Sequence, residues 1–378
     1  MDKSETFGTM KEQLNTGFNH SSKDYHRQRL LWIDLVKAIC MISVYLYHCE
    51  GYYHFTGNYL GYWVKPFYVN AFFFVSGYLF FGKWLPNKML INLNSGGVKH
   101  YLVNIFFHLI LPTILFSTLV YIPKILFHSS GLSLGGFALD VFGGISYWFT
   151  SAMVVSQIIL LFIISLMKWK SIWMYLICTC FIFLLGWLLN RWRTGNNPAD
   201  FFPWFYQTGL EYTLIMGLGG LYWKYEKRID KFLKYSFAVA IMGYIIPLVY
   251  ALCSHKKMNL LGLGGNCDLL GFICLMSGIG VIVCICKSIK PLKRLTYIGK
   301  NSIIFYFFSG VYPALTATIA LRIFPEKSYL IVLIITVVSI VMGAITTYII
   351  NRYFPFMIDL RKLKQNEQTK DICFRIRL

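Results

Sequence analysis

Asp34, Lys37 and His48 stand inside an otherwise apolar run, Leu30 to His48, and they are the residues of this chain best placed to do chemistry. Ionisable groups at bilayer depth cost roughly 2.5 to 3.5 kcal/mol each on insertion scales, so they usually face a bundle interior or a watered cavity. At 100° per residue, the eleven positions from Lys37 to His48 bring the two within about 20° of each other on a helix, with about 16 Å between them along its axis. They share one face. Asp34, three positions before Lys37, is within reach of an ion pair that would lower the burial cost of both. An imidazole can take a proton from a hydroxyl nucleophile, and a fixed ammonium can hold phosphate or a developing oxyanion. The structural alternative is an Asp/Lys pair with a capping histidine.

The elements that position these groups are membrane helices. The chain has 378 residues, of which 57% are hydrophobic and 14% charged, with a mean hydropathy of +0.56; soluble domains carry about a quarter charged residues. Segments near the roughly 20 residues needed to cross hydrocarbon recur along the whole length. They predict ten spans: 30–47, 66–81, 101–121, 147–167, 172–189, 209–223, 235–253, 269–286, 303–321 and 329–350. The fold class is all-α, a polytopic membrane helix bundle. Residues 1–29 read as a short cytoplasmic lead, 30–350 as one ten-span membrane domain, and 351–378 as a basic cytoplasmic tail.

Charge alternation tests this count, because Lys and Arg accumulate in cytoplasmic loops. With Lys37 set aside inside the first span, 27 of the 36 Lys and Arg fall in the two tails and the loops on the same side, and 8 fall in the intervening loops. Both termini are therefore expected in the cytoplasm. The +20 net charge follows from topology and anionic lipid, so the lipid bilayer is the expected partner and nucleic acid is not. The first apolar run continues into a full span, which argues against a cleavable signal peptide.

Of the ten cysteines, Cys40, Cys178, Cys180, Cys274, Cys284 and Cys286 lie in apolar spans and read as small hydrophobes. Neither C-x-C pair has zinc-ligand spacing, so no metal site is expected. Cys49, Cys253 and Cys267 lie towards the outer side, where a bridge is chemically permitted. Other polar groups converge at membrane depth: Asn70 and Ser76, Ser151 and Gln157, Glu211 and Tyr212, and Asn301 with Ser302. Such groups favour a lined cavity. Small residues such as Gly77, Gly217, Gly219 and Gly220 permit close helix packing. Tyr147, Trp148 and Phe149 form either an interfacial aromatic belt or a pocket wall.

LLWIDLVKAICMISVYLYH, Leu30 to His48, resembles the first helix of the acyltransferase 3 family of membrane acyltransferases, whose hallmark is Arg, ten residues, then His; Lys37 takes the Arg position. FYVNAFFFVSGYLF, Phe67 to Phe80, is similar to the family's aromatic Ser-Gly helix, and SYWFTSAM, Ser146 to Met153, to its Trp-Phe segment. YIGKNSIIFYFF, Tyr297 to Phe308, resembles its late Gly-Lys-Asn-Ser...Tyr helix. Four matches in order cover almost the entire chain. Besides Lys37, two further departures accompany them. The family's Arg-x-x-Arg falls near Ile105 and His108, leaving Lys99, His100 and His108 as basic substitutes, and Ser309 stands where a histidine commonly follows the late tyrosine.

The resemblance implies transfer of an acyl group, acetyl from acetyl-CoA above all, to a hydroxyl of a cell-surface glycan or lipid-linked precursor. It implies His48 as catalytic base, Lys37 as fixed charge and Asp34 as its orienting partner. Asn70, Ser76, Lys99, His108, Trp148, Glu211, Ser302 and Tyr306 are the expected substrate-binding residues. The acyl-CoA is a substrate, and no permanently bound cofactor is expected. The implied setting is a multi-pass protein of a plasma membrane, the bacterial inner membrane, with glycan-assembly proteins as further partners. Two other classes share these features. A secondary transporter or flippase would use Asp34, Lys37 and Glu211 to relay protons or bind an ion, and a non-catalytic membrane partner would keep only the basic loops.

Overall fold

The computed structural model describes residues 31–54, 59–84, 96–128, 133–167, 171–192, 204–254, 258–262, 267–324 and 328–359. The predicted N-terminal lead lies outside these residues, as does most of the predicted C-terminal tail. Helices account for all the regular structure among the described residues. In chain order they are α1 (Leu31–Tyr52), α2 (Tyr59–Val64), α3 (Asn70–Trp84), α4 (Gly96–Ile105), α5 (Leu111–His128), α6 (Leu134–Val141), α7 (Trp148–Met167) and α8 (Ile172–Trp192). They continue with α9 (Tyr206–Asp230), α10 (Leu233–Cys253), α11 (Leu269–Ser288), α12 (Lys293–Lys300), α13 (Ser302–Phe308), α14 (Val311–Ile323) and α15 (Tyr329–Tyr353). A π-helical turn, Phe106–Ile110, joins α4 to α5.

Among the described residues, seven helical stretches are long and apolar enough to cross a membrane, and an eighth span arises if α13 and α14, bent by 46°, count as one. The other two of the ten expected spans correspond to α3 and α9. α3 has only 15 residues, because the chain makes turns over 65–69 before the helix begins at Asn70. α9 has 25 residues but carries Gln207, Thr208, Glu211, Thr213 and four glycines. It can do so because α3, α7 and α8 pack around it and nearly every side chain from Gln207 to Gly220 is buried. A helix shielded by protein needs no apolar surface of its own. The opposite case is α8, which exposes Trp173, Ile177, Phe181, Leu184 and Leu188 at helical spacing, a stripe suited to lipid.

Two glycines set the distance between α3 and α9. A Cβ at Gly77 would lie 2.0 Å from the Met216 carbonyl oxygen, and one at Gly219 would lie 2.0 Å from that of Phe74. Each helix thus rests on the backbone of the other, as small residues allow in membrane bundles. Gly77→Ala must push the helices apart and is expected to cost about 1 to 3 kcal/mol, read as a lower thermal midpoint in detergent. An unchanged midpoint would show that this packing is softer than the geometry implies.

Cys49, Cys253 and Cys267 are free thiols. α15 runs to Tyr353, three residues into the predicted tail, because its periodic apolar face continues to Ile350, which is buried against Phe116 and Phe307.

Candidate functional site

α1 positions the first residues of the site. Lys37, Met41, Val44 and His48 follow one another at steps of four, three and four along one face, and all four line a cavity of about 850 Å³. The opposite wall comes from α3, α7, α9 and α13 through Asn70, Ser76, Trp148, Gln157, Tyr212 and Tyr306. Lys65, Tyr68 and Val69, before α3, and Met258 to Gly262, before α11, add to the lining.

His48 is held by rings. Tyr52 stacks on it at 5.9 Å and 19°, and Tyr47 meets it edge-on at 5.7 Å. Tyr47 in turn stacks on Tyr68 at 5.4 Å. Neither imidazole nitrogen has a hydrogen-bond partner among the described residues, so both are available to a ligand in the cavity. Lys37 likewise makes no ion pair among the described residues.

The aromatic wall is built on a stack of Tyr212 and Phe73, 3.7 Å apart and nearly parallel at 7°. Trp148 lies 6.5 Å from Tyr212, and Tyr306 packs on Phe149 at 5.0 Å. The Tyr147 hydroxyl donates to the Phe307 carbonyl at 2.9 Å and ties the start of α7 to α13. The Tyr45 hydroxyl donates to the Phe305 carbonyl at 2.9 Å and ties α13 to α1. Two buried polar atoms on cavity-lining residues, Asn70 Oδ1 and the Tyr212 hydroxyl, have no partner among the described residues. The Asn70 amide group meanwhile donates to the Pro66 carbonyl at 2.8 Å. Such atoms are costly unless something else satisfies them, and a hydroxylated ligand can do so.

Lys37, His48, Asn70, Ser76, Trp148, Ser302 and Tyr306 are therefore brought to one cavity. The other four expected site residues lie elsewhere. Asp34 makes no ion pair with Lys37 among the described residues, although both Lys37 and Lys300 are within its electrostatic reach. Its backbone carbonyl packs against α12, where a Cβ at Gly299 would come within 1.8 Å of the oxygen. Glu211 is fully buried on α9, while its neighbour Tyr212 lines the cavity. Lys99 is exposed on α4. His108 is half exposed in the π-helical turn, 3.8 Å from Asp359, while the adjacent Leu109 reaches the cavity.

Several cavity residues were not among those expected, notably Tyr47, Tyr62, Lys65, Tyr68 and Asn259. Lys65 had one signal in the sequence, since it is the sole Lys or Arg between the first two predicted spans. Glu50 fixes the segment that carries it. The Glu50 side chain is 1% exposed, and its two oxygens accept from the backbone N–H of Leu60 at 3.1 Å and of Gly61 at 2.5 Å. A carboxylate satisfies the otherwise unpaired N–H groups of the first turn of α2, whose last turn leads into Lys65.

The site thus combines an accessible imidazole, an ammonium on the same helix face with no ion pair among the described residues, and hydroxyls and aromatic faces around a shared cavity, a set able to bind a polar substrate and move a proton from it. No curated protein and no solved structure matches the chain. A family model described as an acyltransferase domain matches residues 30–352, from the start of α1 to the end of α15, and this multi-pass membrane chain therefore belongs to the acyltransferase 3 family.

Proposed function

We propose that the protein is a membrane O-acyltransferase that moves an acetyl group from acetyl-CoA to a hydroxyl of a cell-surface glycan or of its lipid-linked precursor. The observation that carries this reading is the shared cavity, which joins Lys37 to His48 over about 16 Å of α1. His48 removes the acceptor proton as the oxygen attacks the thioester carbonyl. The carbon–sulfur bond then breaks, CoA leaves as the thiolate, and the proton on His48 passes to it. The products are the O-acetyl ester and free CoA. Lys37, about 16 Å from His48 along α1, supplies positive charge to a phosphate of the donor. It does so as a point charge, without the bidentate fork of an arginine.

With both termini in the cytoplasm, donor enters from the α1 N-terminal side and acceptor from the side of His48. The charge alternation along the chain supports this orientation in a plasma membrane. Partner proteins of glycan assembly would supply the acceptor.

The test is transfer of labelled acetyl from acetyl-CoA to a mixed-glycan acceptor by detergent-purified protein. Lys37→Ala is expected to lower transfer about 10²-fold, and Lys37→Arg is expected to retain it. Absence of both donor binding and transfer in the wild type would remove the enzyme reading in favour of a transporter or scaffold.

A further inference from the structure

We infer that the acceptor is an anionic sugar, one bearing a carboxylate or a phosphate, and that Lys65 holds its charge at the mouth of the cavity. This rests on the acyltransferase reading for the word acceptor, but the anion site itself rests on the cavity.

The first argument is the charge of the lining. Lys37 and Lys65 contribute to it, and no Asp or Glu does among the described residues. Asp34 and Glu211, near Lys37 and Tyr212 in the chain, do not line the cavity, and two further carboxylates near lining residues, Glu50 and Asp268, are already engaged. Glu50 accepts from two N–H groups of α2, and Asp268 accepts from Gly271 at 2.6 Å and from Asn259 at 3.4 Å. Neither pairs with Lys65. A cavity with fixed ammonium groups and no opposing carboxylate selects anions, by the same rule that suppresses like-charge partners.

The second argument separates the two ammonium groups. Lys37 and Glu50 are thirteen residues apart on α1, about 20 Å along the axis. Glu50 is bonded to the α2 turn whose Gly61 carbonyl accepts from the Lys65 backbone N–H at 2.9 Å. Lys65 therefore belongs to the end of the cavity remote from Lys37, and one phosphate group cannot serve both. If Lys37 meets the donor, the anion at Lys65 belongs to the other substrate.

The third argument is independent of the geometry. Lys65 falls in a loop on the side where Lys and Arg are scarce, 8 against 27. A cation placed against the topological rule needs a local reason. Tyr62 and Tyr68 flank it in the lining and offer faces to a sugar ring, beside which the ammonium would meet an acidic substituent.

The experiment uses the full chain in detergent with three probes: trigalacturonate, its carboxyl-reduced counterpart, and the reduced trimer carrying a phosphate. Binding and acetyl transfer are measured separately for wild type, Lys65→Gln and Lys65→Arg. Wild type is expected to bind one or both anionic probes about fivefold or more tightly than the neutral one. Lys65→Gln should lose that preference, with the loss falling on Kd and KM; Lys65→Arg should keep it, and added salt should weaken it. Equal binding of all three probes by wild type, no binding of either anionic probe, or an equal loss on all three in Lys65→Gln would overturn the inference. Lys65-dependent anion binding without acetyl transfer would sustain the anion site and remove the enzyme. Transfer with no charge preference would do the reverse.

Discussion

Replacing His48 by alanine is expected to lower acyl transfer about 10²- to 10⁴-fold, the range over which a positioned general base contributes, with little change in thermal midpoint. Both halves follow from how the ring is held. It contacts Tyr47 and Tyr52 through its faces and edges and makes no hydrogen bond among the described residues, so its removal leaves no buried group unpaired and enlarges a space that is already open. What it removes is the acceptor's base. His48→Asn keeps a hydrogen-bonding side chain without basicity in the working range and is expected to be as inactive as alanine. The double variant with Lys37→Ala gives a sharper reading. If the two groups serve one transition state, the loss in the double falls well short of the product of the single losses. Full activity in His48→Ala would place the base elsewhere in the cavity.

The pairing of Lys37 with His48 was legible in the sequence because it needs only one helix. Eleven steps of 100° return to nearly the same face, and both residues line the cavity. The same arithmetic explains Asp34. Three steps place it about 60° round from Lys37, far enough for its backbone to pack on Gly299 of α12 while the cavity opens on the neighbouring face. Ser76, Trp148, Ser302 and Tyr306 were legible through their motifs, and they converge because Tyr45 and Tyr147 both donate to the backbone of α13. Tyr68 and Lys65 belong to the segment before α3, whose path depends on the Glu50 cap on α2. No periodicity encodes a turn held by a carboxylate ten residues away.

The fold shows the same division. Hydropathy measures what a helix offers to lipid, so it finds α8, α10 and α15 easily and undervalues α9, whose polar side chains from Gln207 to Thr213 are buried among other helices. Charge alternation therefore supplied a test of the ten-span count that apolarity alone could not. Alternation could not reveal that Lys287, counted there as a loop cation, points into the bundle. Its side chain is 9% exposed.

Lys287→Met is expected to destabilise the protein by about 3 to 5 kcal/mol, the usual consequence of breaking a buried ion pair from one side. The ammonium lies 2.8 Å from Glu226 and 2.7 Å from Asp230, and 5.1 Å from the ring centres of both Trp32 and Tyr222. Glu226, whose side chain is 4% exposed, also accepts from the Tyr78 hydroxyl at 2.8 Å. This one cation thus draws together α1, α3, α9 and α11. With methionine in its place, the Glu226 charge loses this buried ammonium while the Tyr78 bond survives. Asp230 suffers less, being 36% exposed, so the penalty should trace to Glu226. Adding Glu226→Gln to Lys287→Met is therefore expected to recover much of the lost stability, whereas adding Asp230→Asn recovers little. Thermal midpoints of the four proteins in one detergent decide the matter. Equal recovery from either second change would mean that the two carboxylates share the charge, and no loss in Lys287→Met would mean that the aromatic faces and Tyr78 already hold these helices together without it.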